Sequence, residues 1–272
     1  MIAPTLDLRK AARRAPIPAL DLGAIDARDL EAARSNWRQR MASEHASARV
    51  FGELVGGMMR ASLPAEEIRR VVAMAEQELD HGVLCASVLV ALGTEPVADM
   101  PRLDPIPAHE DAATPLEAVL RNVISIGCCS ETVAVALVAT EREQAGPPAV
   151  AHVLDRILRD EIKHSRFGWR TLGRHAPRLT TRERDGLDEY LVDAFAHQLD
   201  FHGQFLGMPY SSSEGIAIGA PHGGSSWNVF TTTMDHVVIP GLTQCGLRAR
   251  EAWEAARATF AACVGNGSAA EH

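Results

Sequence analysis

The chain has 272 residues, and 35 acidic against 27 basic side chains leave a formal charge of −8. Apolar residues at 46% and charged residues at 23% are the proportions of a soluble globular protein and exclude general disorder. The acidic balance excludes a nucleic-acid partner, because phosphate contacts need a concentrated Lys/Arg surface.

With 5% aromatics and no run of alternating β-branched residues, the composition predicts an all-α chain, read as one domain over 1–272. The five cysteines (Cys85, Cys128, Cys129, Cys245, Cys263) are odd in number and form no CxxC pair. That argues against a disulfide framework or a thiolate metal centre and points to a reducing, cytoplasmic compartment. Residues 1–25 lack the apolar core of a signal peptide, and their basic cluster Arg9, Lys10, Arg13 and Arg14 reads as a solvated arm. No segment reaches the ~18–20 unbroken apolar residues of a membrane span, so no membrane partner is expected.

Helix punctuation is clear along the chain. A first helix is predicted over 26–62 with Asp26 as N-cap. Pro64 opens a second, with Glu66 and Glu67 in its first turn, and Gly93 stops it. The Pro-rich segment 94–113 has the length of a crossover: its ~20 residues reach ~60 Å when extended, enough to run from one end of a bundle to the other. Thr114-Pro115-Leu116-Glu117 reads as a capping box opening a third helix, which ends near Gly146 before Pro147 and Pro148. A fourth is predicted over 148–174. Thr180 and Glu183 form another capping box, opening a fifth helix to about 205. The Gly/Ser-rich stretch 206–226 reads as a lid or a surface loop. A last helical region begins near Ser226 and is expected to break at Pro240-Gly241. No strand pattern is visible.

The third helix carries the least expected residue. Between Asn122 and Thr140 the only charge is Glu131. A carboxylate in an apolar helix must face water at one edge, or be protonated, paired or bound to metal. The second helix holds Glu78-x-x-His81 and the fourth Glu161-x-x-His164. At i, i+3 each pair lies on one helix face and can reach one ion. Register supports their convergence. Glu131 lies 15 residues before Gly146 and Glu161 lies 15 after it, so an antiparallel hairpin sets them level. Glu44 lies 19 residues before Leu63, while Glu78 and His81 lie 15 and 18 after it, level within about one turn. Glu44 also shares a helix face with the apolar stripe Ala48, Phe51 and Val55. Four carboxylates and two imidazoles suit two divalent metals, and oxygen-plus-imidazole ligation favours iron or manganese.

These motifs, Glu44, Glu78-x-x-His81, Glu131 and Glu161-x-x-His164, resemble those of the ferritin-like superfamily of carboxylate-bridged diiron proteins, over about residues 26–175. The resemblance implies a four-helix bundle with a long crossover between its second and third helices, continued by C-terminal helices over 176–272. It makes all six residues metal ligands, with either Glu78 and Glu161 or Glu44 and Glu131 bridging. It implies that Asp160 orients a ligand histidine across the bundle. Gln77 stands where an acid is common in the family, and Asp80 where arginine is common. Without a CxxC pair, without a tyrosine one turn after His81 and with Ile157 in place of a third histidine, the chain departs from rubrerythrins, ribonucleotide reductase small subunits and arylamine N-oxygenases. The implied function is a non-haem diiron oxidase or oxygenase. It would hold two Fe ions (or Mn/Fe, or Mn/Mn), act with O2 on a small, largely apolar substrate, and draw electrons from a donor such as a ferredoxin; a homodimer is compatible with it. The alternatives are a ferroxidase or iron-handling protein and a bundle with a structural metal. If two divalent ions bind, their charge of about +4 halves the chain's −8.

Cys85, Gly127, Val135 and Gly168, one turn from the presumed ligands, are small enough to leave room for oxygen and substrate, or else to allow close helix contact. Gly223-Gly224 before a helix start is compatible with an anion site. Asp193, His197, Asp200 and His202, with Asp235-His236, read as exposed charges or as a second metal site.

Overall fold

The computed structural model describes residues 4–100, 104–208 and 210–268. It is helical, with one small addition absent from the sequence reading. Arg9, Lys10, Arg13 and Arg14 are exposed, as expected of a solvated arm, while β1 (Thr5–Asp7) and α1 (Arg9–Ala12) bury Leu6 and Ala12. Three residues per strand are too few to register as alternation in a sequence.

Asp26 caps α2 (Ala27–Arg60), its carboxylate accepting from the Arg28 N–H at 2.8 Å. Ser62, at φ +54°, turns the chain, and α3 (Ala65–Ala91) begins directly after Pro64. Gly93 ends it with φ +71°, a conformation in which a Cβ would be strained. Within the crossover, β2 (Val97–Asp99) pairs antiparallel with β1, Leu6 opposite Ala98.

The predicted third helix is two helices joined by a wider turn. Thr114 caps α4 (Pro115–Val123) through the Glu117 N–H. Glu117 does not complete the box; its carboxylate accepts from Ala113 N–H and pairs with the buried Arg121. Residues Ile124–Ser130 form a π-helical turn, and α5 (Glu131–Gln144) continues from it. Next comes α6 (Pro148–His175), followed by α7 (Thr181–Gly203), whose Thr180–Glu183 capping box is complete.

The stretch 206–226 holds a short α8 (Ser213–Ala217) and the first residues of α9 (Gly223–Thr233). It is anchored to α2: Trp37 donates its indole N–H to the Ile218 carbonyl at 2.9 Å, and Asp29 accepts from the Ser212 N–H. The break expected at Pro240-Gly241 lies later. A π turn (Met234–Val238) runs into α10 (Ile239–Gln244), placing Pro240 in a first turn that needs no proline N–H. The chain turns at Gly246 (φ +84°) before α11 (Ala249–Ser268).

Two helical hairpins form the frame. α2 lies along α3, α5 along α6, and the hairpins meet through α3 on α6 and α2 on α4. The π turn packs tightly on α6 at Gly127 and Gly168, where a Cβ on Gly168 would come 2.5 Å from the Gly127 backbone. One apolar cluster, with Trp37, Met41 and Leu89, fills the crossover end of the frame, and another, with Phe51, Met58 and Phe167, fills the opposite end. A third cluster, around Phe195, Phe230 and Trp253, joins α7, α9, α10 and α11 to the outer face of α4–α6.

The helical run Pro115–Gln144 contains an 18-residue window of mean hydropathy 1.8, long and apolar enough to cross a membrane by length and composition, although Glu131 interrupts it. Half of that window is buried inside the fold, as in the core helix of a bundle.

Candidate metal centre

Four helices bring the six predicted ligands together: Glu44 on α2, Glu78 and His81 on α3, Glu131 at the start of α5, Glu161 and His164 on α6. Five of them are almost closed to solvent, from 0% exposed for His164 to 7% for Glu131. Two overlapping groups result, Glu44–Glu78–His81–Glu161 and Glu78–Glu131–Glu161–His164, each with one ligand atom per residue within 4.8 Å of the others. Glu78 and Glu161 belong to both groups, whereas Glu44 and Glu131 each belong to one. The arrangement therefore suits Glu78 and Glu161 as bridges. His81 Nδ1 is 3.3 Å from Glu161 and 3.5 Å from Glu44; His164 Nδ1 is 3.0 Å from Glu78 and 3.5 Å from both Glu131 and Glu161.

The site passes a direct test of fit to metal. Glu78 Oε1, Glu131 Oε2 and the Nδ1 atoms of both histidines are buried without a hydrogen-bond partner among the described residues. Buried polar atoms are rarely left so. Four of them facing one another, all oxygen or imidazole nitrogen, form the donor set of a hard-to-borderline divalent cation. The nearby thiol of Cys85 lies outside both groups.

The outer ring nitrogens face different partners. His164 Nε2 is 2.9 Å from Gln77 Oε1, and the Gln77 amide donates to Asp160 at 3.3 Å. His81 Nε2 faces the Asp160 carboxylate at 3.5 Å. Lys163 binds Asp160 at 2.6 Å. So Asp160 does lie across the bundle beside a ligand histidine, and Gln77 performs the matching task for the other. Once a cation displaces the Nδ1 proton, a proton kept on Nε2 would hold each ring with Nδ1 turned towards the carboxylates.

Charge in this pocket is unevenly held. Burial pushes Glu78 well above the usual carboxylate range, with the charges of Glu161, Glu44 and Glu131 adding to it against the nearby His164 imidazole. Burial and Glu161 do the same to Glu131. Glu161 goes the other way: burial opposes ionisation, but the close His164 and His81 imidazoles hold it below the usual range. Burial alone would depress both histidines; their carboxylate neighbours override it and raise His81 to about 11 and His164 to about 12. The metal-free cluster thus stores protons on its imidazoles, and a binding cation must displace them.

The π turn ends at the residue before Glu131, with Ser130 Oγ donating to the Ser125 carbonyl. An extra residue in a helical turn rotates everything after it by about 100°. Glu131 is thereby aimed independently of the apolar face of α4.

The small residues expected to make room do not line the opening. Gly127 and Gly168 fill each other's space, Cys85 is fully buried in the apolar cluster of the crossover end with its thiol pushed well up by burial, and Val135 is half-buried elsewhere on α5. The opening lies on the other side of the ligands. A cavity of about 800 Å³ with mostly apolar walls starts at Glu44, Glu78, Glu131 and Glu161. It runs outward past Phe51 and Ile126 to Ile106 of the crossover, Gln198 and His202 of α7, and Val229 of α9. Sequence reasoning missed this wall. The one available signal was the polar spacing Asp193, His197, Gln198 and His202 on α7, which repeats at helical intervals.

The second metal site is not formed: among the described residues, only the two groups above could hold an ion. Asp235 instead accepts from the Trp253 indole at 2.9 Å, and Asp193, His197 and His202 line the cavity. At the start of α9, His222 Nδ1 accepts from the Ser225 N–H at 3.2 Å and so caps one of the amides the sequence left for an anion.

The chain therefore combines a helical frame, a buried carboxylate–histidine cluster able to hold a metal and an apolar cavity reaching it. Comparison with protein-family models, with curated proteins and with solved structures finds no match for the chain.

Proposed function

We propose that this is a ferritin-like non-haem diiron oxidase or oxygenase that uses O2 to oxidise a small, largely apolar organic molecule. One observation carries the reading: two overlapping ligand groups share Glu78 and Glu161 at the inner end of a mostly apolar cavity of about 800 Å³. A purely structural ion needs no such access, and iron as the substrate would be served by polar walls.

Glu44, Glu78 and His81 with Glu161 would hold one ion, and Glu131, Glu161 and His164 with Glu78 the other. Bound there, a pair of redox-active ions supplies the electron transfer to oxygen that no side chain provides. The residues of the chain do the rest. Gln77 and Asp160 fix the ring orientation of the two histidines. Phe51, edge-on to His164 at 5.4 Å, shields that side from water. The cavity wall holds an apolar molecule against the open side of the cluster. Electrons would come from a small donor protein such as a ferredoxin.

The test is anaerobic reconstitution with Fe(II), metal analysis and oxygen uptake. The expected result is close to two ions per chain and oxygen consumption that an organic substrate accelerates. Fewer than one ion per chain overturns the metal assignment. Two ions with mineralisation and no response to any organic molecule overturns the oxygenase in favour of iron handling. Manganese in place of iron is resolved by the same metal analysis on protein expressed with both.

A further inference from the structure

The cavity has one polar position that the metal chemistry does not use. Gln198 and His202 stand one turn apart on α7, so their side chains leave the same helix face as neighbours. Both line the cavity. They are 1% and 5% exposed, and Gln198 Oε1 and His202 Nδ1 have no hydrogen-bond partner among the described residues. Two orphaned buried atoms on residues one helical turn apart in the same cavity wall are costly unless something fills them.

The chemistry of that filler is restricted. The Gln198 amide nitrogen is committed to Ser130 Oγ at 2.9 Å, so its free atom is a carbonyl oxygen, which requires a donor. His202 stacks on Phe230 at 4.4 Å and touches Phe201 and Phe205, rings that bring no charge. Burial, with His197 nearby, lowers its pKa to about 4, so at neutral pH it is an uncharged imidazole and does not attract an anion. An uncharged group that donates to Gln198 and exchanges a hydrogen bond with His202 satisfies both. A hydroxyl does this with a single atom. The position is close to the metal ligands, because Ser130 directly precedes Glu131.

We propose that Gln198 and His202 form a hydroxyl-recognition site, and that the molecule taken up by the cavity is an apolar alcohol anchored there. The inference rests on the organic-substrate reading above for its meaning, but not for its test. In equilibrium dialysis, metal-free and iron-loaded protein are offered dodecan-1-ol, dodecyl methyl ether, dodecanoate and dodecylammonium. The alcohol is expected to bind at least about tenfold more tightly than the ether, which accepts but cannot donate. Gln198→Met and His202→Phe should each weaken alcohol binding several-fold, and Gln198→Met should leave unchanged the binding of the ether, which has no donor for the Gln198 carbonyl, so that ether binding to this variant reports an intact cavity. Equal binding of alcohol and ether overturns the proposal, as does a preference that survives both substitutions. Tightest binding of dodecanoate or of dodecylammonium also overturns it, by showing a charged anchor. A lost preference in protein that still binds two irons and consumes oxygen sinks this inference alone. A retained preference in protein without oxygen chemistry sinks the oxygenase alone.

Discussion

The two overlapping halves of the carboxylate–histidine cluster have the same side-chain types and different surroundings. His164 presents its outer nitrogen to a neutral amide, Gln77, at 2.9 Å and has Phe51 edge-on. His81 presents its outer nitrogen to an anionic carboxylate, Asp160, at 3.5 Å, and Asp160 is itself held by Lys163. Burial works against ionising Asp160, yet the Lys163 ammonium and His81 keep its pKa below the ordinary value. An anion behind the ring makes imidazole a stronger donor than an amide does. The pseudo-symmetric motif thus builds two unequal positions, and the His81 position is expected to bind its ion more tightly.

The largest effect separates the shared ligands from the unshared ones. Glu78→Ala or Glu161→Ala should lower metal content from two ions per chain towards none, whereas Glu44→Ala or Glu131→Ala should leave about one, measured by mass spectrometry of metals after dialysis. Equal losses from all four variants would break the bridging assignment. The next effect tests the inequality itself. Asp160→Asn, which places an amide behind both rings, should weaken the tighter site by about 10–100-fold and bring the two affinities together. Gln77→Glu should strengthen the weaker one. Competitive titration with a chelator reads both.

A third imidazole extends the comparison to a site without carboxylates. His81 and His164 are raised by their acidic neighbours, while His202 is lowered to about 4 by burial. A histidine depressed in the folded state takes up its proton more readily when unfolded. Stability therefore falls as pH drops from about 6.5, the unfolded value, towards about 4, with the loss complete below that. Up to about 3 kcal/mol is at stake, and His202→Phe should flatten that part of the pH profile in denaturant titrations. The smallest effects compare two glycines on α6. Gly168→Ala forces a Cβ against the backbone of Gly127 and should destabilise by about 1–3 kcal/mol. Gly173→Ala meets nothing within 4 Å and should stabilise by about 0.5–1 kcal/mol through helix propensity. Thermal melts in which the two move alike would contradict the close contact between the π turn and α6.

Helices and ligands were legible in the sequence for local reasons. Asp26, Thr114, Thr180 and Gly93 are punctuation that acts within a few residues, and each marks a helix end in the structure. The i, i+3 pairs Glu78/His81 and Glu161/His164, and the matched distances of Glu131 and Glu161 from Gly146, needed only helical geometry and a hairpin. Where local signals were weak, the reading failed. The three-residue strands β1 and β2 carry no period. The π turns at 124–130 and 234–238 leave apolar runs that look like continuous α-helix or, with Pro240, like a break.

The amino-acid order by itself determined the helical class, the order of the frame helices and the convergence of six ligands, because periodicity, caps and register are properties of the chain near each residue. Tertiary structure alone decided on which side of the cluster the cavity opens. Gly127 and Gly168 close one side through backbone contact between residues 41 apart in the chain, and α7 and α9 stand at the other, bringing Gln198 and His202 into the same cavity as the carboxylates. Which small residue becomes space and which becomes a seam depends on the neighbour that arrives from far along the chain, and no local pattern encodes that neighbour.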